Sequence, residues 1–87
     1  MSTVRVASPL RMYTHGAATV QGQGASVAEV LADLERRFPG MRFRMIDEQD
    51  RIREHIRIFV NTAEARDLTA PVTARDELHL ICALSGG

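Results

Sequence analysis

The sequence has 87 residues, of which 11 are basic and 11 acidic, and 45% are hydrophobic. A chain of this length forms one domain that buries roughly 60–65% of its unfolded surface, which leaves little room for a deep catalytic cleft. The balanced charge argues against binding to nucleic acid, and no apolar run approaches the ~20 residues of a membrane span. The N-terminus does not resemble a signal peptide, so we expect a cytoplasmic location.

The N-terminal part of the chain predicts a hairpin. Polar and apolar residues alternate over residues 3–7, which is typical of a strand. Ser8-Pro9 ends this strand, because proline has no N–H to donate to a neighbouring strand. A second alternating stretch covers residues 18–21 and stops at Gly22. The two strands pair through a loop longer than a tight turn.

A helix follows the hairpin. Ser26 and Glu29 have the spacing of a capping box, and the helix is expected to end at Pro39-Gly40. The apolar stripe of the helix comprises Val27, Val30, Leu31, Leu34 and Phe38. Its polar residues Asp33, Glu35, Arg36 and Arg37 are expected to lie away from that stripe. Because only one face is apolar, the helix has to pack on something, and a sheet is the expected partner.

The second half of the chain predicts two further strands. Residues 41–55 mix apolar and charged residues and indicate a loop with a short turn or helix. Residues 56–61 alternate strongly, with Phe59 on the face opposite Ile58. Residues 62–77 predict a connection with room for a short edge strand.

The last strand is predicted over residues 78–84. It is apolar on both faces, which favours a central position in the sheet. One face has Leu78, Leu80, Cys82 and Leu84, and the other has His79, Ile81 and Ala83. The order of elements predicts an α+β roll in which a mixed sheet packs on one main helix. We predict a single domain over residues 1–84 and a flexible Gly-Gly tail over residues 85–87.

This order resembles the β-grasp, or ubiquitin-like, fold, and the chain is similar to the ThiS/MoaD family of sulfur carriers over nearly its whole length. The similarity rests on four stretches: residues 4–14, residues 24–31, residues 58–61 and residues 80–87. Within the family, Pro9-Leu10-Arg11 ahead of Thr14-His15-Gly16 is most similar to the CysO-like carriers. Two turns depart from the family pattern: Ala74-Arg75-Asp76-Glu77 has no glycine, and Thr62-Ala63 follow Asn61 where the family often has Gly or Asp.

The resemblance implies a carrier rather than an enzyme. Its working group would be the carboxylate of Gly87, which follows Gly86. An E1-like enzyme would adenylate this carboxylate with ATP and Mg²⁺, and sulfur would then replace AMP. The carrier itself would bind no cofactor or metal. Further partners would be a downstream sulfur-accepting synthase and a metalloprotease, with no nucleic acid and no membrane. The acceptor of the sulfur stays open among cysteine, thiamin, molybdopterin, tRNA thionucleosides and secondary metabolites.

A docking face is expected beside the tail. If the helix covers Leu80 and its neighbours, Phe59 and Ile81 remain on the open side of the sheet, and exposed apolar patches often bind partners. The full set of expected docking residues is Phe59, Ile81, Ala83, Leu84 and Ser85. The alternative is that residues 41–55 cover this side.

Other candidate sites are weaker. Cys82 lies among apolar residues, which favours a buried structural thiol over a persulfide carrier. The three histidines have no ligand spacing, and the acidic stretch 47–50 lacks the calcium-loop pattern. Two functional alternatives remain: a protein modifier joined to amines through Gly87, and a β-grasp binding module with an inert tail.

Overall fold

The computed structural model describes residues 1–83, so Leu84 and the predicted tail over residues 85–87 lie outside the described residues. Within this range the chain forms β1 (Ser2–Val6), a 3-10 turn (Ser8–Leu10), β2 (Thr19–Gly22), α1 (Val27–Arg37), α2 (Met41–Met45), β3 (Ile56–Val60), β4 (Ala63–Ala65) and β5 (Glu77–Cys82). No helix in this part of the chain is long and apolar enough to cross a membrane.

The strands form a five-stranded sheet in the order β2-β1-β5-β3-β4. β5 pairs in parallel with β1 and antiparallel with β3, and the outer strands β2 and β4 pair antiparallel with their neighbours. The predicted α+β class, the mixed sheet and the central place of the last strand are therefore confirmed. β4 is the short edge strand for which the sequence left room.

α1 begins and packs as its pattern predicts. Ser26 Oγ accepts the N–H of Glu29 at 3.2 Å, while the Glu29 carboxylate turns back to accept the N–H of Ala25 at 2.8 Å. The helix ends at Arg37, with Phe38 as its C-cap. The stripe residues Val27, Val30, Leu31 and Leu34 are fully buried and Phe38 is half-buried. They pack on the inward residues of the sheet, of which the largest are Ile56, Ile58, Leu78 and Leu80.

The segment over residues 41–55 packs beside α1 and not on the open side of the sheet. Met41, Met45 and Ile46 are fully buried in the same core as α1, so the short helix α2 closes one side of that core. Asp47 then accepts the N–H groups of Gln49 and Arg51 and shapes the charged turn. The alternative in which this segment covers the docking face is wrong.

Asp33 lies beside the apolar stripe and is only 7% exposed, a burial that the helix pattern does not predict. Its carboxylate accepts the N–H of Gln23 at 3.0 Å and pairs with Arg37 at 2.8 Å and with Arg36. Arg37 also donates to the carbonyl of Gln21 on the edge strand β2. Side chains of α1 thus occupy part of an edge that would otherwise invite another strand.

The turn before β5 forms without the glycine that the family pattern has. Asp76 accepts the N–H of Thr73 at 2.8 Å and the side-chain amide of Asn61 at 2.9 Å. Asn61 has a positive φ of 57° and accepts the N–H of Glu77 at 3.0 Å. The hydrogen bond from Thr73 is the main cause of the lowered pKa of Asp76. A carboxylate thus joins the start of β5 to the turn after β3.

Candidate functional site

The open face of the sheet, opposite α1 and α2, has the two apolar residues predicted for docking. Phe59 of β3 is half-buried, and Ile81 of β5 is 41% exposed. They lie diagonally on neighbouring strands, since Phe59 pairs with His79 and Ile81 pairs with Arg57. The structure therefore brings Phe59 and Ile81 together on an accessible surface, which we call the docking face.

Ion pairs border the docking face, and the sequence reasoning missed them. Arg5 Nε lies 2.9 Å from Glu77 Oε1, which also contacts His79 Nε2 at 3.0 Å, and Arg57 Nε lies 3.6 Å from Glu64. The hydrogen bond from Arg5 holds the pKa of Glu77 below its usual range. The alternation of the predicted strands placed Arg57 and His79 on the open face and Arg5 among the polar positions of β1, whereas Glu64 and Glu77 lay in the predicted connection. The pairing register of the strands was also missing. Because each arginine has its own carboxylate, the face is nearly neutral around an apolar centre.

The chain leaves the sheet from its central strand. β5 ends at Cys82 rather than at the predicted Leu84, because β3 begins at Ile56, which is the partner of Cys82. One more hydrogen bond joins the N–H of Ala83 to the carbonyl of His55 at 2.7 Å. Ala83 itself is exposed. The remaining predicted site residues, Leu84, Ser85, Gly86 and Gly87, lie outside the described residues.

Cys82 is half-buried rather than fully buried, and it borders a surface hollow of about 200 Å³. Partial burial raises the pKa of its thiol, and the positive charge of Arg44 opposes that effect only in part. A thiol with a raised pKa is a poor nucleophile at neutral pH because the thiolate is the reactive form. The structure therefore favours the structural interpretation of Cys82.

The three histidines are distributed over separate parts of the fold. His15 lies in the loop before β2, with its ring 6.1 Å from that of Phe38, while His55 precedes β3 and His79 faces outward from β5. Across residues 1–83, no three His, Cys, Asp or Glu side chains are close enough together to hold a metal ion.

Comparison with known proteins decides the family. The model of the ThiS family matches residues 4–87, which is nearly the whole chain. The chain belongs to the ThiS family. A curated relative, the sulfur carrier protein CysO of Mycobacterium tuberculosis, is 27% identical over 90 residues, a match that covers 98% of this chain and 97% of the relative.

Solved structures of similar proteins establish the fold of this ThiS family member. The CysO chain of the Amycolatopsis orientalis BexX/CysO complex superposes with a TM-score of 0.93 at 32% identity, covering 100% of both chains. SAMP1 of Haloferax volcanii superposes with a TM-score of 0.82 at 26% identity, covering 99% of this chain and 98% of that one. The β-grasp prediction is confirmed.

Proposed function

We propose that this chain is a sulfur carrier, a protein co-substrate rather than an enzyme, whose Gly87 carboxylate is converted to a thiocarboxylate. The observation that carries the proposal is the position of β5, a central strand held on both sides that ends at Cys82, shortly before Gly86-Gly87. Membership of the ThiS family and similarity to CysO proteins support the same function.

The chemistry requires an activated acyl group. An oxygen of the Gly87 carboxylate attacks the α-phosphorus of ATP, and pyrophosphate leaves with its electron pair. The resulting acyl-adenylate is attacked at its carbonyl carbon by hydrosulfide, and AMP leaves, so that one oxygen has been replaced by sulfur. The activating enzyme supplies Mg²⁺ and the contacts to phosphate, because metal ions stabilise the charge that develops on phosphoryl oxygens.

The contribution of the carrier is steric and geometric. Gly87 has no Cβ that would shield the carbonyl carbon, and Gly86 allows backbone conformations that fit a narrow channel. The chain beyond Ala83, residues 84–87, spans at most about 14 Å when fully extended. The folded domain can therefore stay outside the enzyme while the carboxylate reaches the nucleotide, provided that the domain docks close to the channel.

The docking face provides that contact. Its apolar centre consists of Ile81, on the strand β5 that leads to Ala83, and Phe59, on the neighbouring strand β3. Leu84 and Ser85 complete the proposed contact along the chain toward Gly87. Burial of exposed apolar side chains in the middle of an interface gives most of the binding energy in many complexes.

Replacing Ile81 with aspartate is expected to weaken the complex with the activating enzyme at least about 10-fold, because the interface would bury an unpaired charge. Titration calorimetry on the purified pair measures this loss. The domain is expected to stay folded, since Ile81 is 41% exposed in the free chain.

Thr19→Asp is the matched control for Ile81→Asp. Thr19 lies on the edge strand β2 and faces the same side of the sheet, where it pairs with Arg5. It receives the same charge two strands away from Ile81. Equal binding by the two variants, with both folded by circular dichroism, would remove the docking face from the proposal.

The partners that we propose follow from this chemistry. An E1-like adenylating enzyme loads the carrier, a downstream synthase accepts the sulfur, and a metalloprotease trims either the carrier or its product. The activating enzyme uses ATP and Mg²⁺. The reaction takes place in the cytoplasm. A complex of CysO with BexX has been solved for Amycolatopsis orientalis, which supports the expectation of a stable partner.

A second candidate function is protein modification through the same carboxylate. It is favoured by the similarity to SAMP1, whose full name is small archaeal modifier protein 1. In that case an amine of a target protein, instead of a sulfur nucleophile, attacks the carbonyl carbon of the acyl-adenylate; an amide bond forms, AMP leaves and the amine loses a proton. Both functions share the first step, and they separate at the second.

Mass spectrometry of the intact chain tests the proposal. Incubation with the E1-like enzyme of the same genome, ATP, Mg²⁺ and sulfide is expected to give the mass change for one oxygen replaced by sulfur, located at Gly87 by fragmentation. Isopeptide adducts on other proteins, without a thiocarboxylate, would indicate the modifier. An unchanged mass with an enzyme that activates another carrier in parallel would overturn both functions.

A further inference from the structure

Two basic residues, Arg44 of α2 and His55 ahead of β3, line the same hollow as Ala83, and Arg53 lies next to them. We call Arg44, Arg53 and His55 the basic rim. Two surface hollows, each of about 200 Å³, meet there and share Arg44 and His55 in their walls. One hollow is mainly apolar and lies against Leu10, Cys82 and Ala83. The other lies against Phe43 and Arg53.

Within residues 1–83, the arginines of the basic rim differ from those of the docking face in having no carboxylate in direct contact, although the charge of Arg53 helps to lower the pKa of Asp47. Among residues 1–83, every ion pair of Arg5 and Arg57 is made within the sheet, whereas neither Arg44 nor Arg53 lies within ion-pair distance of a carboxylate. Arg53 instead stacks over Phe43, with its guanidinium carbon 4.6 Å from the ring centre.

The exposure of Phe43 adds an apolar element to the same surface. The side chain is 57% exposed, and Arg53 Nε donates to the Phe43 carbonyl at 2.7 Å, which fixes the arginine over the ring. A cation that is already held in place loses little conformational entropy when it meets an anion. In a chain with zero formal net charge, this concentration of positive charge is a local feature.

We infer that the basic rim is a second contact surface for the activating enzyme, which presents carboxylates to Arg44 and Arg53 and an aliphatic side chain to the apolar hollow beside Ala83. The inference rests on the proposed function. An enzyme that encloses the Gly87 carboxylate has to bring the mouth of its channel within about 14 Å of Ala83, the span of residues 84–87. The surface around Ala83 is then covered, and that surface is cationic.

The two surfaces of the carrier have different roles in this arrangement. The docking face is nearly neutral and apolar, so it controls how long the complex lasts. The basic rim controls how fast the complex forms and how the domain is oriented, because charges at the rim of an interface act mainly on association and lose their effect as salt rises.

Arg44→Glu tests the inference, with Arg75→Glu as its matched control. Both arginines are exposed, and Arg75 lies in the turn before β5, at the opposite end of that strand from Ala83. Stopped-flow association of the full chain with the activating enzyme is expected to slow on the order of 10-fold at low salt for Arg44→Glu. For Arg75→Glu we expect a change within about twofold.

Salt provides a second readout. The difference in association rate between Arg44→Glu and Arg75→Glu is expected to disappear near 1 M salt, where the screening length falls to about 3 Å. The dissociation rates of the two variants are expected to stay similar. Arg44→Gln, which removes the charge without reversing it, is expected to give an intermediate rate and serves if Arg44→Glu fails to fold by circular dichroism.

The outcomes separate this inference from the proposed function. If the wild-type chain gains its thiocarboxylate but Arg44→Glu and Arg75→Glu associate equally fast, only the basic rim is wrong. Faster association of Arg44→Glu would indicate a basic partner surface and overturn it as well. Self-association of the wild-type chain that Arg44→Glu abolishes would assign the rim to a second copy instead.

Discussion

Removal of Gly87 is expected to lower the yield of thiocarboxylate at least about 100-fold, although the shortened chain still ends in a glycine carboxylate. The deletion moves the reacting group back by about 3.5 Å, one residue of extended backbone. A displacement of about 1 Å at a reacting centre already costs on the order of 100-fold in rate. Intact-mass spectrometry of the reaction with activating enzyme, ATP and sulfide measures the loss.

A length-restored variant separates reach from residue identity. In this variant an alanine is inserted between Leu84 and Ser85 and Gly87 is deleted, so the chain has its original length but ends in a single glycine. Recovery of the reaction would assign the requirement to reach, and continued loss would assign it to the Gly-Gly pair. Full activity of the simple deletion would contradict the proposal that the enzyme positions the carboxylate through a docked domain.

The parts of the fold that the sequence predicted are those set by local patterns. The cap at Ser26, the apolar stripe of α1 and the alternation in β3 each act over a few residues, so periodicity was enough to place them. The central position of β5 followed from its apolar character on both faces. Its end did not, because a strand ends where its neighbour's hydrogen bonds end, and that neighbour begins at Ile56.

The features that the sequence did not predict arise from contacts between distant segments. Arg44 lies on α2, His55 precedes β3 and Ala83 follows β5, so no window of sequence contains the surface that they form together. The outward position of Phe59 and Ile81 was predicted because both residues alternate outward in their strands. The near neutrality of the docking face was not predicted, since the pairing of Arg57 with Glu64 depends on register across the β3–β4 hairpin.

Asp33 gives the clearest case of a contact that helical periodicity does not reveal, and it leads to a prediction on stability. Asp33→Ala is expected to lower the free energy of unfolding by about 1–3 kcal/mol, because a hydrogen bond from the Gln23 N–H to a charged acceptor is lost together with two ion pairs. Asp33→Asn keeps an acceptor for Gln23 and is expected to lose less. Urea unfolding at neutral pH measures both.

The pH dependence of these variants separates charge from hydrogen bonding. Burial acts to raise the pKa of Asp33, but the hydrogen bond from Gln23 and the charges of Arg37 and Arg36 outweigh it, so the pKa lies below its usual value. A carboxyl whose folded pKa is depressed stabilises the fold above its unfolded pKa, near about 4, and this contribution is lost as pH falls through the folded pKa.

The difference in stability between the wild-type chain and Asp33→Asn is therefore expected to be constant near neutral pH and to shrink below about pH 4. Other carboxylates with lowered pKa values, such as Asp47 and Asp76, affect both proteins equally and cancel in this difference. A difference that stays constant down to pH 2 would mean that Asp33 acts only as a neutral acceptor. The contact of the α1 side chains with the β2 edge would then depend on shape and hydrogen bonding rather than on the ion pair between Asp33 and Arg37.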